Sequence, residues 1–433
     1  MQDLSGPATV NVSHTAFLTP LVFHREGRGV AMNESQETCL LDGNPASKGK
    51  PVDDGKVHSL YKAVVFYTPK TNMKGVIKML LEKTISEIRD LDQEAMAQAQ
   101  KRLDSLIKPP GSLGVLEEIA VRLAGITGDP RPVIDDKAVI IMAGDHGVVA
   151  EGVSIAPQEI TAQMLPAFLT GVAGIGVLAK HAGARVVVVD VGVAVPVSFP
   201  GVLQRKVRAG AGNIARGPAM SVAEAVKALE VGIEVAFEEI ERGVSLLAIG
   251  DMGIGNTTPS SAILAAFGGY TAEEVTGRGT LVNDQVMKIK RDVIDRALAI
   301  NKPDPADGLD VLSKVGGLEI AGLAGVILGS AARRVPVLID GFITTAAALV
   351  ACKLQPKARE YIIASHLSGE QGHRLMLELL HLEPLIHLNM RLGEGTGAAL
   401  TMHLVEASTK VLHEMASFDE AGVSDLEEDK ILK

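Results

Sequence analysis

Arg391-Leu392-Gly393-Glu394-Gly395-Thr396-Gly397 sets one carboxylate between glycines, just ahead of an apolar, helix-forming run from Ala398 to about Met415. Glycine on both sides lets backbone approach a ligand without a Cβ in the way. The start of the helix behind it offers free N–H groups and a partial positive charge. A carboxylate so placed can serve as a general base in a pocket of small residues. The plainer reading of this stretch alone is a glycine-rich turn whose glutamate caps a helix, because most loop glutamates are solvated or capping.

Gly250-Asp251-Met252-Gly253-Ile254-Gly255-Asn256-Thr257-Thr258 is the second strong feature. An apolar run leads into a glycine-rich loop, and a helix follows near Pro259. Such a loop cradles phosphate with backbone N–H groups; an ordinary tight strand-to-helix turn has the same look. No Gly-Lys-Ser/Thr follows, so it is not a Walker A loop, and Thr258 replaces the third glycine of a dinucleotide fingerprint. Gly277-Arg278-Gly279-Thr280 precedes a helix carrying Lys288, Lys290 and Arg291. A lysine there can pair with phosphate, although a solvated charged face is the commoner arrangement. Gly144-Asp145-His146-Gly147 and Ser365-His366-Leu367-Ser368-Gly369-Glu370 lack metal-ligand spacing and a Gly-x-Ser-x-Gly elbow. They read as substrate-positioning polar groups or structural hydrogen-bonders.

The elements that must position these clusters are short apolar strands alternating with helices. Strand-like runs at Ala138–Ala143, Arg185–Val191, Val244–Ile249, Val335–Ile339 and Tyr361–Ala364 end in Asp or His beside Gly or Ser. Helical patterns fill about Leu80–Leu106, Val115–Ile126, Ala162–Ala182, Val222–Glu241, Asp284–Ile300 and Leu318–Ala332. That alternation predicts an α/β fold, a parallel sheet covered by helices on both faces. In such sheets ligands bind at the carboxyl ends of the strands, so the chemistry gathers at one edge.

Composition agrees. The 433 residues are 47% apolar but only 3% aromatic, without tryptophan, so Ala, Val, Leu, Ile and Met build the core. A net charge of −10 argues against a nucleic-acid partner, which needs a basic face. Two cysteines, Cys39 and Cys352, imply no disulfide framework, and a cytoplasmic setting is the expectation. Val335–Cys352 is long enough to suggest a membrane span, but Asp340 and Gly341 read instead as a strand, a turn and an alanine-rich helix. Residues 1–72 show no sustained periodicity and read as a weakly ordered extension, with Met73 or Met79 as an alternative start.

With these blocks in this order, from about Leu80 to about Val423, the chain closely resembles the nicotinate-nucleotide:dimethylbenzimidazole phosphoribosyltransferases. The blocks are Lys108–Gly114, Met142–Gly152, Pro157–Met164, Asp190–Val193, Gly250–Thr258, Gly277–Thr280, Ile339–Phe342, Ser365–His373 and Arg391–Gly397. The resemblance implies transfer of a phosphoribosyl group from nicotinate mononucleotide to 5,6-dimethylbenzimidazole, in making the lower nucleotide loop of cobalamin. It implies Glu394 as the base that deprotonates the benzimidazole. Asp251 becomes a second acid, at a position where some members carry Glu. Gly253, Gly255, Asn256, Thr257, Lys290 and Ser368 become nucleotide-binding residues, and Ser154, Gln163 and Leu392 part of the base pocket. It also implies a Rossmann-like catalytic domain at residues 131–395, and a small helical domain from residues 80–130 and 396–423. A homodimer is implied, with no metal or other cofactor and no membrane partner. Transfer to another base (adenine or a phenol) and a non-catalytic binding homologue are the competing readings; the missing fingerprint disfavours a dehydrogenase.

Overall fold

The computed structural model describes residues 73–277 and 283–424. The expected weak order of residues 1–72 and the Arg278–Thr280 part of the basic motif lie outside those residues. Among the described residues six strands form one sheet: β1 (Asp136–Gly144), β2 (Arg185–Gly192), β3 (Val202–Gln204), β4 (Val244–Met252), β5 (Val337–Ile339) and β6 (Ile362–Ala364). Their order is β3-β2-β1-β4-β5-β6, and every ladder is parallel. Eight successive residues of β1 are buried, which requires cover on both faces of the sheet. The chain moves outward from β1 to β3, then returns to lay β4 on the other side of β1. Strand order thus reverses between β1 and β4, and in such sheets ligands bind near that reversal, at the carboxyl edge.

The Leu318–Ala332 helix packs on β1, β2 and β4 and against the Val222–Glu241 helix. These two helices meet backbone to backbone: a Cβ on Gly232 would collide with the Gly322 carbonyl. A core with few aromatics reaches native density by such close approaches. The Thr396–Glu414 helix packs on β4 and β5. A separate apolar cluster joins Ala95, Ala99, Leu103, Leu106, Ala120 and Ala124 to Leu412 near the end of that helix.

Several boundaries depart from the sequence reading. The Leu80–Leu106 pattern is two helices, Met73–Glu87 and Gln93–Asp104, because Asp92 N-caps the second through the amides of Glu94 and Ala95. The Ala162–Ala182 pattern also divides, into Glu159–Leu169 and Gly174–His181, at Gly171 with φ +78°. Strand β3 is only three residues long and was not anticipated. The apolar run Val335–Cys352 is β5, a turn at Asp340-Gly341 and the buried Phe342–Leu354 helix, as read.

Candidate active site

A cavity of about 300 Å³ opens at the carboxyl ends of β4, β5 and β6. The loop after β4 forms one wall, from Asp251 to Thr257. Close packing on β1 sets that loop's path, since a Cβ on Gly253 would collide with the Gly144 carbonyl. Asn256 Nδ2 donates to Asp251 Oδ2 at 2.8 Å, tying the far side of the loop to its first residue. Lys290 reaches in from the Asp284–Asn301 helix and is 1% exposed. Its Nζ donates to Thr257 Oγ1 at 2.8 Å and to the Gly277 carbonyl at 3.4 Å. Burial pushes this ammonium down to about 8, partly opposed by the carboxylate of Glu370. Lys288 on the same helix is exposed, so one lysine of that pair turns inward.

Ser368 lies on the same cavity. Its backbone N–H donates to His373 Nδ1 at 2.9 Å, and His373 Nε2 lies 2.9 Å from Thr345 Oγ1. Thr345 in turn donates to the Gly341 carbonyl at 2.7 Å. The ring must therefore carry its proton on Nε2 and accept at Nδ1. Burial pushes His373 down to about 3, and the neutral ring fixes the Ser368 backbone.

Glu394 lines the same cavity. It is 7% exposed and sits at φ +64°, a left-handed conformation that costs a non-glycine residue about 1–2 kcal/mol. Two contacts hold the turn in this conformation. A Cβ on Gly250 would lie 2.5 Å from the Gly395 nitrogen, so the turn rests on the backbone of β4. Asp340, at the end of β5, accepts from the amides of Gly395 (3.2 Å), Gly397 (2.7 Å) and Ala398 (3.0 Å). The Glu394 carboxylate accepts a long bond, 3.4 Å, from the Ile175 amide at the start of the Gly174–His181 helix. Burial raises its proton affinity above the ordinary glutamate range; the Ile175 amide opposes this and Asp340 adds to it. Asp251 is pushed up to about 7 by burial and then by Asp340, with smaller contributions from Glu319 and Glu394.

Ten of the eleven residues singled out from the sequence line this cavity: Ser154, Asp251, Gly253, Gly255, Asn256, Thr257, Lys290, Ser368, Leu392 and Glu394. Gln163 does not. It is exposed on the Glu159–Leu169 helix, while Ile160 and Met164 of that helix face the cavity. Glu394 also departs from the plainer reading, because Gly395 is the N-cap and Asp340, not Glu394, bonds the first amides of the following helix. The strand-end acids divide as well. Asp145 accepts from the Ala194 amide and Asp190 from the Val193 amide beside Lys206, so both brace loops outside the cavity. His146 is buried against Glu319 at 2.7 Å, beneath Gly253. Sequence reasoning passed over Phe342, Ile343, Met164 and Arg391 as lining residues. An apolar side chain beside a strand end carries no chemical signal, and Arg391 was visible only as a neighbour of Glu394.

A family model described as a phosphoribosyltransferase, DBI_PRT, matches residues 88–423. The chain belongs to this family. Among the curated members, it is 57% identical over 347 residues to the nicotinate-nucleotide–dimethylbenzimidazole phosphoribosyltransferase of Desulforamulus reducens, covering 80% of this chain and 99% of that one. The protein of the same name from Geobacter sulfurreducens is 55% identical over 347 residues, with the same coverage of both chains. Among solved structures of this phosphoribosyltransferase family, CobT from Thermus thermophilus superposes with a TM-score of 0.74 at 49% identity, over 77% of this chain and all of that one.

Proposed function

We propose that this chain moves the 5-phosphoribosyl group from nicotinate mononucleotide to 5,6-dimethylbenzimidazole, releasing nicotinate and α-ribazole 5′-phosphate. The observation that carries the reading is one cavity lined together by a buried lysine, a glycine-rich loop and a buried glutamate. In this reading the Gly253–Thr257 loop, Lys290 and Ser368 hold the donor phosphate, whose charge offsets the buried ammonium. Glu394 takes the N–H proton of the benzimidazole while the other ring nitrogen attacks C1′. The C1′–N bond to the nicotinate ring breaks, and its electron pair neutralises the pyridinium. Attack from the face opposite the leaving ring inverts C1′ from β to α.

The two bases fit a wall of Val153, Ile155, Ile160, Met164, Phe342 and Leu392, which is apolar and shaped by small and aliphatic side chains. Holding both rings in line accounts for much of the remaining barrier. Asp251, pushed up to about 7 and bound to Asn256, suits a positioning acid better than a second base. The decisive experiment incubates the protein with nicotinate mononucleotide and a mixture of dimethylbenzimidazole, adenine and a phenol. Release of nicotinate with α-ribazole phosphate as the main product is expected. A different nucleoside phosphate would reassign the acceptor, and no nicotinate release would leave a binding protein.

The finer reading of its assembly is a homodimer. The Glu159–His181 stretch is apolar yet little buried, and Ile155, Val172, Val177 and Leu392 are exposed at the cavity mouth or on that stretch. Exposed apolar area of this kind marks a protein interface. Light scattering that returned a monomer at micromolar concentration would reject it. The cluster joining the Gln93–Asp104 and Val115–Thr127 helices to Leu412 supports reading the two chain ends as one small helical domain.

A further inference from the structure

We propose that Asp340 is a positioning residue for the reaction: its carboxylate clamps the turn that carries Glu394 and supplies a fixed negative charge beside that glutamate. The inference rests on the reading of Glu394 as the base. A helix start leaves amides without partners, and a side chain at the N-cap ordinarily takes them. Here the N-cap is Gly395, which has no side chain. The cap comes instead from the end of β5, 55 to 58 residues earlier in the chain, through the three bonds from Gly395, Gly397 and Ala398. Asp340 is 1% exposed, so a carboxylate has been buried where a serine or asparagine at position 395 would do for capping alone. Gly395 cannot be so replaced without a collision, because a Cβ there would lie 2.8 Å from Val139 Cγ1.

The charge on Asp340 follows from its partners. Burial pushes Asp251 and Asp340 both up to about 7, and the charge of Asp340 adds to the rise at Asp251. Their hydrogen-bond donors differ. Asp340 has three backbone amides and the positive end of a 19-residue helix, all favouring its anion. Among the described residues Asp251 has one carboxamide donor, and the charges of Asp340, Glu319 and Glu394 all disfavour its anion. The proton held near neutrality therefore sits on Asp251. His366 Nε2 lies 3.6 Å from Asp340 Oδ1, but burial pushes this ring down to about 4, so it is neutral and leaves the aspartate charge uncancelled. Glu394 then works beside an anion that keeps it basic and within a turn that the same anion holds in place.

The test uses the full chain with Asp340→Asn, assayed with nicotinate mononucleotide and dimethylbenzimidazole across pH. The expected result is a kcat lower by about 10²-fold, with little change in KM for the donor. The acidic limb of the kcat profile should move to lower pH, because Glu394 and Asp251 lose a neighbouring negative charge. A merely structural cap would lower kcat and leave that limb where it was, and this outcome would overturn the proposal. If the variant does not fold, carboxyl-carbon NMR of the unmodified protein decides: Asp340 must stay ionised throughout the pH range of full activity. A protonated Asp340 in fully active protein would overturn it. An unmodified protein that releases no nicotinate defeats the base reading instead, while the NMR titration still decides the ionisation of Asp340.

Discussion

In the cavity wall Lys290 is buried against a hydroxyl and a carbonyl, beside a glycine-rich loop. Asp251 and Glu394 line the same cavity, with Asp340 buried behind them within their influence, and glycines bring their backbones together. Each group carries charge that is costly without a partner of opposite sign. Glu370 offsets the lysine only in part, so an anionic donor group would complete it. The carboxylates would be relieved by a proton. This contrast sets binding against turnover, and substitutions in the two groups should move different kinetic constants.

The largest expected effect is in the carboxylate group. Glu394→Gln keeps the size and the contact with Ile175 but cannot accept the benzimidazole proton. Turnover should fall by about 10²–10⁴-fold, with donor affinity measured by calorimetry nearly unchanged. Equal losses in both quantities would mean that the lysine and the carboxylates act as one binding surface, and turnover like that of the unmodified protein would remove Glu394 from the base role.

Lys290→Ala should act the other way. Loss of a charge-assisted contact is worth about 1.5–3 kcal/mol, or roughly 10- to 100-fold in KM for the mononucleotide. The kcat at saturating donor should change much less. The same lysine gives a pH signature. Burial has lowered its affinity for a proton, so the cation is present below about 8 and lost as pH rises through that value. Donor KM should therefore climb on the alkaline side in the unmodified protein and stay flat there in Lys290→Ala. An alkaline rise that persists in the variant would assign it to another group.

The sequence carried the strand–helix alternation, the glycine loop and the glutamate turn because each is a local pattern of a few residues. The parallel order and the crevice followed from those patterns by general topology. Relations between distant segments were not legible. Lys290 lies among Lys288 and Arg291 in a helix whose charge pattern looks solvated, and only packing under Thr257 reveals that it turns inward. Asp340 looked like one more polar strand end, because its three partners lie on another element. The helix breaks before Gln93 and at Gly171 were missed because apolar spacing continued across them.

Gln163 offers the finest test of the contrast, since it belongs to neither group and does not line the cavity. Residues 160 and 164 are one helical turn apart and both face the cavity, so they share a stripe. Residue 163 projects beside that stripe and is exposed. Gln163→Ala should leave kcat and both KM values within about twofold, as surface changes away from packed groups usually do. Met164→Ala, by contrast, removes apolar area from the wall and should raise KM for the acceptor base while sparing the donor, by about tenfold for the loss of a buried aliphatic contact. If Gln163→Ala instead weakened the acceptor and Met164→Ala did not, the base would lie along the outer side of this helix. Covered by a second copy of the chain, that side would then form part of the pocket.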